Sequence, residues 1–269
     1  MVFPTGGHAV RVSSTMLEVG PRLAVGLVVL TLIAAVVAGV GQLGPWRSIP
    51  VAAVRATVQL GIVSLLIAAI VSSLWFTTLF VVAMVGTAAW TSGQRITRAP
   101  TRAERGTAAL WAALPIACGS VPIVLGLIVG GLVPVRGIAI VPIAGILIGG
   151  AMTATSLAGR RALDELETRH GEVEAALSLG FTDRDAALEI CRPSAGQALV
   201  PALDQTRTVG LVTLPGAFVG VLLGGGSAVE AGATQLLVLI GLLAVESIAI
   251  VVVTELAARS RLTRHPASA

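Results

Sequence analysis

A carboxylate at position 246 interrupts the apolar run "TQLLVLIGLLAVESIAIVVVTEL", Thr234 to Leu256. If that run crosses a membrane, Glu246 sits near the bilayer midplane, where an ionised side chain costs about 2.5–3.5 kcal/mol. Such a residue must face protein or water, and there it can meet a cation. It can equally stay protonated and hydrogen-bond a neighbouring helix, and both readings stay open. Asp204 and Arg207 are spaced to pair on one helical face. They fall near the start of another apolar stretch, which favours a structural or gating pair over a ligand site. Gln59 follows Arg55 by one helical turn, and Arg55 can reach an interface along its aliphatic stem. Glu255 can likewise reach water and pair with Arg259. With Met152, Cys118 and Gln235, these are the polar or soft groups inside apolar stretches. The candidate substrate pathway is therefore Glu246, Asp204, Arg207, Gln59 and Met152.

A transition-metal cation would call for carboxylate, imidazole or soft sulfur ligands. The three histidines, His8, His170 and His265, all lie outside the apolar stretches. No set of metal ligands is identified on these grounds. Neither H-E-x-x-H nor G-x-S-x-G occurs, so no catalytic residue is expected. Cys118 and Cys191 have no spacing that suggests a disulfide or a metal site, and read as small apolar residues.

A second chemical feature lies between two apolar stretches. Arg160 to Arg192 holds five arginines and eight acids, more than half the acids of the chain. Within it runs "EAALSLGFTDRDAALEICRP", Glu174 to Pro193. Val173, Leu177 and Phe181 recur at four-residue spacing, which predicts one apolar helical face. Gly180 predicts a helix stop, and Thr182 with Asp185 a capping box that opens the next helix. Pro193 is expected to end or bend that helix. The segment reads as helix–turn–helix outside the membrane, against a bland reading as a solvated amphipathic linker.

The elements that position these groups are membrane helices. The chain has 269 residues, 55% of them hydrophobic, and a mean hydropathy of +0.93. That excludes an ordinary soluble domain and leaves room for several spans of about 20 residues. Seven are predicted: Leu23–Val40, Val51–Val71, Leu74–Trp90, Thr107–Val129, Ile138–Ala158, Leu199–Leu223 and Thr234–Leu256. The fold class is all-α integral membrane protein, with one transmembrane domain over residues 1–269 and the polar segment at about 159–195. The 31 glycines predict close helix–helix approach in lipid. Proline at 115, 122, 142, 201 and 215 predicts kinks. The first apolar stretch does not read as a signal peptide.

All 18 basic residues are arginine. Without lysine there can be no P-loop, so ATP, if used, is bound by another subunit and no cofactor by this chain. Arginine also orients the chain. Thirteen arginines, among them Arg95, Arg98, Arg102 and Arg105, fall in one set of connecting segments, against Arg11, Arg22 and Arg136 in the other. The richer side is expected in the cytoplasm, which puts the N-terminus outside and the C-terminus inside. Because the charge follows topology, +4 overall implies no nucleic-acid partner.

The spacing Glu174-Ala175-Ala176, Gly180, Ile190, Pro193 resembles the EAA loop of ABC-transporter permeases, E-A-A-x3-G-x9-I-x-L-P, with Arg192 in place of Leu. The stretches "PALDQTRTVGLVTLPGAFVG", "VPIAGILIGGAM" and "VRATVQL" are similar to the FetB/YbbM family of permeases, from about Val51 to Leu256. Gly150 departs from the Asn that bacterial members often carry. Bacterial members are associated with iron export and plant relatives with aluminium tolerance. The resemblance implies a permease subunit in a bacterial inner membrane, exporting iron or another metal cation. Its EAA loop would couple it to a separate ATP-binding subunit, and two copies would enclose one pathway. Alternatives are another ABC cargo, such as a nucleotide sugar or organic anion, and an ATP-independent secondary transporter. No inverted repeat supports the last, which leaves the coupling-like loop without a role.

Overall fold

The computed structural model describes residues 20–97, 99 and 101–263. Arg11, Arg98, Arg264, His8 and His265 lie outside the described residues. Ten α-helices follow in order: α1 Pro21–Val40, α2 Ser48–Ser72, α3 Leu74–Thr97, α4 Arg102–Val129, α5 Gly137–Thr168, α6 His170–Ser178, α7 Asp183–Gly196, α8 Val200–Thr208, α9 Gly216–Leu223 and α10 Ala228–Ala258. A single 3-10 turn, Gln197–Leu199, joins α7 to α8. The protein is an all-α integral membrane protein. Six of its described helices, α1 to α5 and α10, are long and apolar enough to cross a bilayer.

The described chain forms two compact units, divided at Ala68. The first holds α1 and most of α2. Helix α1 ends at Gly41, and Gln42 takes a positive φ of 52°. The Leu43 amide donates to the Ala38 carbonyl at 2.9 Å. Trp46 lies over Gly39, and the Arg47 guanidinium stands 5.0 Å from the Trp46 ring. Apart from this turn, α1 and the part of α2 in this unit are largely exposed and mostly apolar, with Arg55, Thr57 and Gln59 among the exposed residues of α2.

The second unit packs α3, α4, α5 and α10 together, with α7 against the C-terminal ends of α5 and α10. Only Ser73 separates α2 from α3, and the buried Thr77 hydroxyl donates back to the Ile70 carbonyl at 2.9 Å. Helices α4 and α10 open on full capping boxes, Thr101 with Glu104 and Ser227 with Glu230. Pro115, Pro122 and Pro142 are carried inside α4 and α5.

Small residues set the helix spacing, as expected where lipid is the solvent. A Cβ added at Gly93 of α3 would stand 2.7 Å from the Ala108 carbonyl of α4. One at Gly119 of α4 would stand 2.7 Å from the Val245 carbonyl of α10. Both neighbours are backbone and have no rotamer to give. Gly93→Val should therefore cost about 1–3 kcal/mol as an overpacking change. Its melting temperature in detergent should fall by several degrees. Gly86→Ala, with nothing within 4 Å of the new methyl, should hold or rise. Equal melting of Gly93→Val and the parent would refute this α3–α4 contact.

Six of the seven predicted spans correspond to continuous helices, several longer than expected. The predicted span Leu199–Leu223 is not continuous and is corrected to two short helices, α8 and α9, separated by a break. Helix α8 stops at Thr208, Val209 turns extended and Gly210 takes φ +81°. Pro215, which cannot donate an amide and disfavours helix at Leu214, precedes α9. The broken segment runs alongside α10. Just before it, Ala195 and Ala198 pack with Ile250 and Val253 of α10, and towards its end the Phe218 amide donates to the Gln235 side chain at 3.3 Å.

Candidate functional site

The polar segment folds as helix–turn–helix, and each signal has a physical counterpart. Helix α6 ends at Ser178 with Leu179 as its C-cap, and Gly180 follows at φ +92°. The Gly180 amide donates to Leu177 at 2.9 Å and the Phe181 amide to Ala176 at 3.2 Å. That pair of bonds is a Schellman cap, and it needs the left-handed backbone that glycine adopts without strain. Thr182 then caps α7, its hydroxyl oxygen accepting from the Asp185 amide at 3.2 Å. The expected reciprocal box is only half formed. The Asp185 carboxylate accepts from the Thr182 hydroxyl and from Arg184, not from the Thr182 backbone. Pro193 does not end α7, which runs on to Gly196.

The two arms have opposite environments. On α7, Ala186, Ala187, Leu188, Ile190, Cys191 and Ala195 are buried. Cys191 is buried in the cluster with Ala195, Ile250 and Val253, and that burial pushes its thiol up to about 11. On α6 no residue is buried. Glu174 and Ala175 are exposed and Ala176 half-buried. The predicted apolar face is open, with Val173 half-buried, Leu177 and Phe181 exposed, and Leu179 beside them 81% exposed. Arg169 pairs with Glu165 and Glu172 where α5 meets α6, and its guanidinium holds the Glu172 carboxyl below the usual range.

A bidentate ion pair ties this element to the last membrane helix. Arg184 of α7 donates to both carboxylate oxygens of Glu255 on α10, at 2.6 and 2.8 Å. Arg259 donates to the same carboxylate at 2.6 Å, the pairing expected from sequence. The Arg184 contact spans 71 positions and has no local signal.

Glu246 lies on the same helix, about 14 Å along the axis from Glu255 at 1.5 Å per residue. It is half-buried, facing α5. A Cβ at Gly150 would stand 2.9 Å from a Glu246 carboxylate oxygen and clash with Leu242. The carboxylate thus occupies space that α5 leaves by carrying glycine. Met152 packs against the core of α3, α4, α5 and α10. Asp204 and Arg207 are exposed on α8 and pair at 3.6 Å. Gln59 is exposed on α2, in the first unit. Among the described residues, no three of His, Cys, Asp and Glu come together as metal ligands. Cys118 is exposed on α4. Arginine charges the end of the second unit that carries α6 and α7, with Arg160, Arg161, Arg169, Arg184, Arg192 and Arg259 there.

The chain matches UPF0014, described as an uncharacterised protein family, over residues 22–262. It is 36% identical over 156 residues to "Protein ALUMINUM SENSITIVE 3" of Arabidopsis thaliana, covering 58% of this chain and 55% of that protein. It is 34% identical over 130 residues to "Probable iron export permease protein FetB" of Escherichia coli, covering 47% of this chain and 49% of that one. "UPF0014 membrane protein YjkA" of Bacillus subtilis is 31% identical over 134 residues, 50% of this chain and 54% of that protein. The matched part thus spans about half the length of these curated relatives. No solved structure matches.

Proposed function

The chain belongs to the UPF0014 family, and from that premise we propose that it is the permease subunit of an ABC transporter exporting iron or another metal cation. A separate subunit binds and hydrolyses ATP, and two copies of the chain line one pathway in a bacterial inner membrane. The observation that carries this reading is the α6–α7 element. It presents Glu174, Leu177, Leu179 and Phe181 outward and is joined through Arg184 to Glu255, on the helix that holds Glu246. A partner that moves α7 pulls on a charged pair anchored in α10, which gives ATP hydrolysis a mechanical route to a carboxylate at membrane depth. The likeness to a relative named as a probable iron export permease supports the cargo.

The test is reconstitution in proteoliposomes with a candidate ATP-binding subunit. Ferrous ion should stimulate ATP hydrolysis and move out of the compartment that holds the ATPase and ATP, across the membrane to the other. Equal hydrolysis with and without every metal tried would remove the cargo assignment. The orientation is tested separately. A reporter fused after Ala269 should read cytoplasmic and one before Met1 external, because the α8–α9 crossing makes the number of crossings odd. Both ends on one side would mean that α8–α9 enters and leaves on the same face.

A further inference from the structure

The α8–α9 break carries features that neither lipid nor water satisfies. It lies alongside α10, between the level of Ile250 and that of Gln235, and hence at membrane depth. The helical ladder gives way to turn bonds there, the Gly210 amide donating to Thr213 at 2.8 Å and the Val212 amide to Thr208 at 3.0 Å. Opened backbone does not face lipid, since hydrocarbon offers it no hydrogen-bonding partner. Yet the side chains on this loop are apolar and open, Leu211 91%, Val212 78% and Leu214 60% exposed. Water would suit the backbone but not those three side chains. A protein surface suits both.

The charges beside the loop indicate which protein. Asp204 and Arg207 share the exposed face of α8 one turn apart, with side chains 62% and 72% exposed and their charged atoms 3.6 Å apart. An ion pair left open at this depth is costly, and its long in-chain contact closes it poorly. A face with one negative and one positive group complements a copy of itself. Two α8 helices side by side about a two-fold axis along the membrane normal put Asp204 of each about 4.5 Å in height from Arg207 of the other, within side-chain reach, which makes two equivalent pairs.

We propose that the α8–α9 break is the face through which two copies of this chain associate, with Asp204 of each copy paired to Arg207 of the other and Leu211, Val212 and Leu214 closing the contact. This deepens the two-copy element of the proposed function and rests on it. It does not rest on the cargo or on the ATPase, neither of which enters the test.

Two full-length copies carrying different affinity tags are co-expressed, and one is used to pull down the other from detergent-solubilised membranes. The parent pair should co-purify. Asp204→Arg in both copies sets four arginines together and should reduce recovery at least tenfold, and Arg207→Asp in both should do the same with four aspartates. Mixing one Asp204→Arg copy with one Arg207→Asp copy rebuilds both cross-pairs and should restore recovery to near the parent level. An ion pair confined within one chain cannot be restored by mixing. Recovery as poor in the mixture as in the single variants would overturn the proposal, as would parental recovery of either single variant. Should a charge variant fail to accumulate, Leu211→Cys in a Cys118→Ser background decides. A bismaleimide should join two such chains into a dimer band, and a monomer band alone from folded protein would overturn the assignment.

Discussion

Gly180→Pro should reduce permease-dependent ATP hydrolysis to the level of the ATPase alone while the protein still inserts in the membrane. The effect is expected to be large because Gly180 holds φ +92°, and proline is fixed near −65°. The substitution also removes the amide that donates to Leu177. The α6–α7 turn then opens, and the outward set of Glu174, Leu177, Leu179 and Phe181 loses its arrangement. Two surface variants separate docking from folding. Phe181→Asp and Glu174→Arg leave the Schellman cap intact, since neither side chain makes it, and should still lower ATPase stimulation more than tenfold if this tip docks. Glu255→Gln tests the next link. It removes the negative charge that Arg184 and Arg259 share without touching the tip, so ATPase binding should persist while hydrolysis no longer follows cargo. Normal stimulation in all four variants would leave α6–α7 a solvated linker.

Local chemistry was readable, whereas contacts between distant residues were not. The α6–α7 turn could be drawn from sequence because Gly180 and Thr182 act on their immediate neighbours. The half-formed box at Asp185 was beyond reach, since Arg184 competes for its carboxylate only in the folded chain. The break after Thr208 was missed for a different reason. "VGLVTLPGAFVG" is as apolar as a continuous span, so hydropathy sees one helix; the usable signals were Gly210 and Pro215, read only as small residue and kink. The capping residues Thr101 with Glu104 and Ser227 with Glu230 stood in plain sight as S/T-x-x-E, and reading them would have lengthened α4 and α10 correctly. Arg184 with Glu255, and Gly150 beneath Glu246, are non-local. Composition and spacing carry no trace of either, and Gly150 showed only as a departure from a family pattern.

That glycine sharpens the expectation for Glu246. An ionised carboxylate at this depth costs about 2.5–3.5 kcal/mol on insertion scales, so a chain that keeps one without using it carries a cost for nothing. Glu246→Gln preserves the shape over Gly150 and removes the charge. Stability and transport should therefore move in opposite directions: the melting temperature of the variant holds or rises, while cation export falls at least tenfold. A buried hydrogen-bonded Glu with a structural role predicts the reverse, lower stability and transport that falls only as far as folded protein is lost. Gly150→Ala probes the same contact from α5. Its methyl would stand 2.9 Å from the carboxylate oxygen and press on Leu242, so Glu246 must leave its seat without losing its charge. If position matters as well as charge, this variant should lose most export too. If Gly150→Ala transports normally and Glu246→Gln does not, the charge alone serves the pathway and its seat on α5 is incidental. Normal export by Glu246→Gln would remove Glu246 from the pathway and leave Asp204, Arg207 and Gln59 as the charged or polar groups to test.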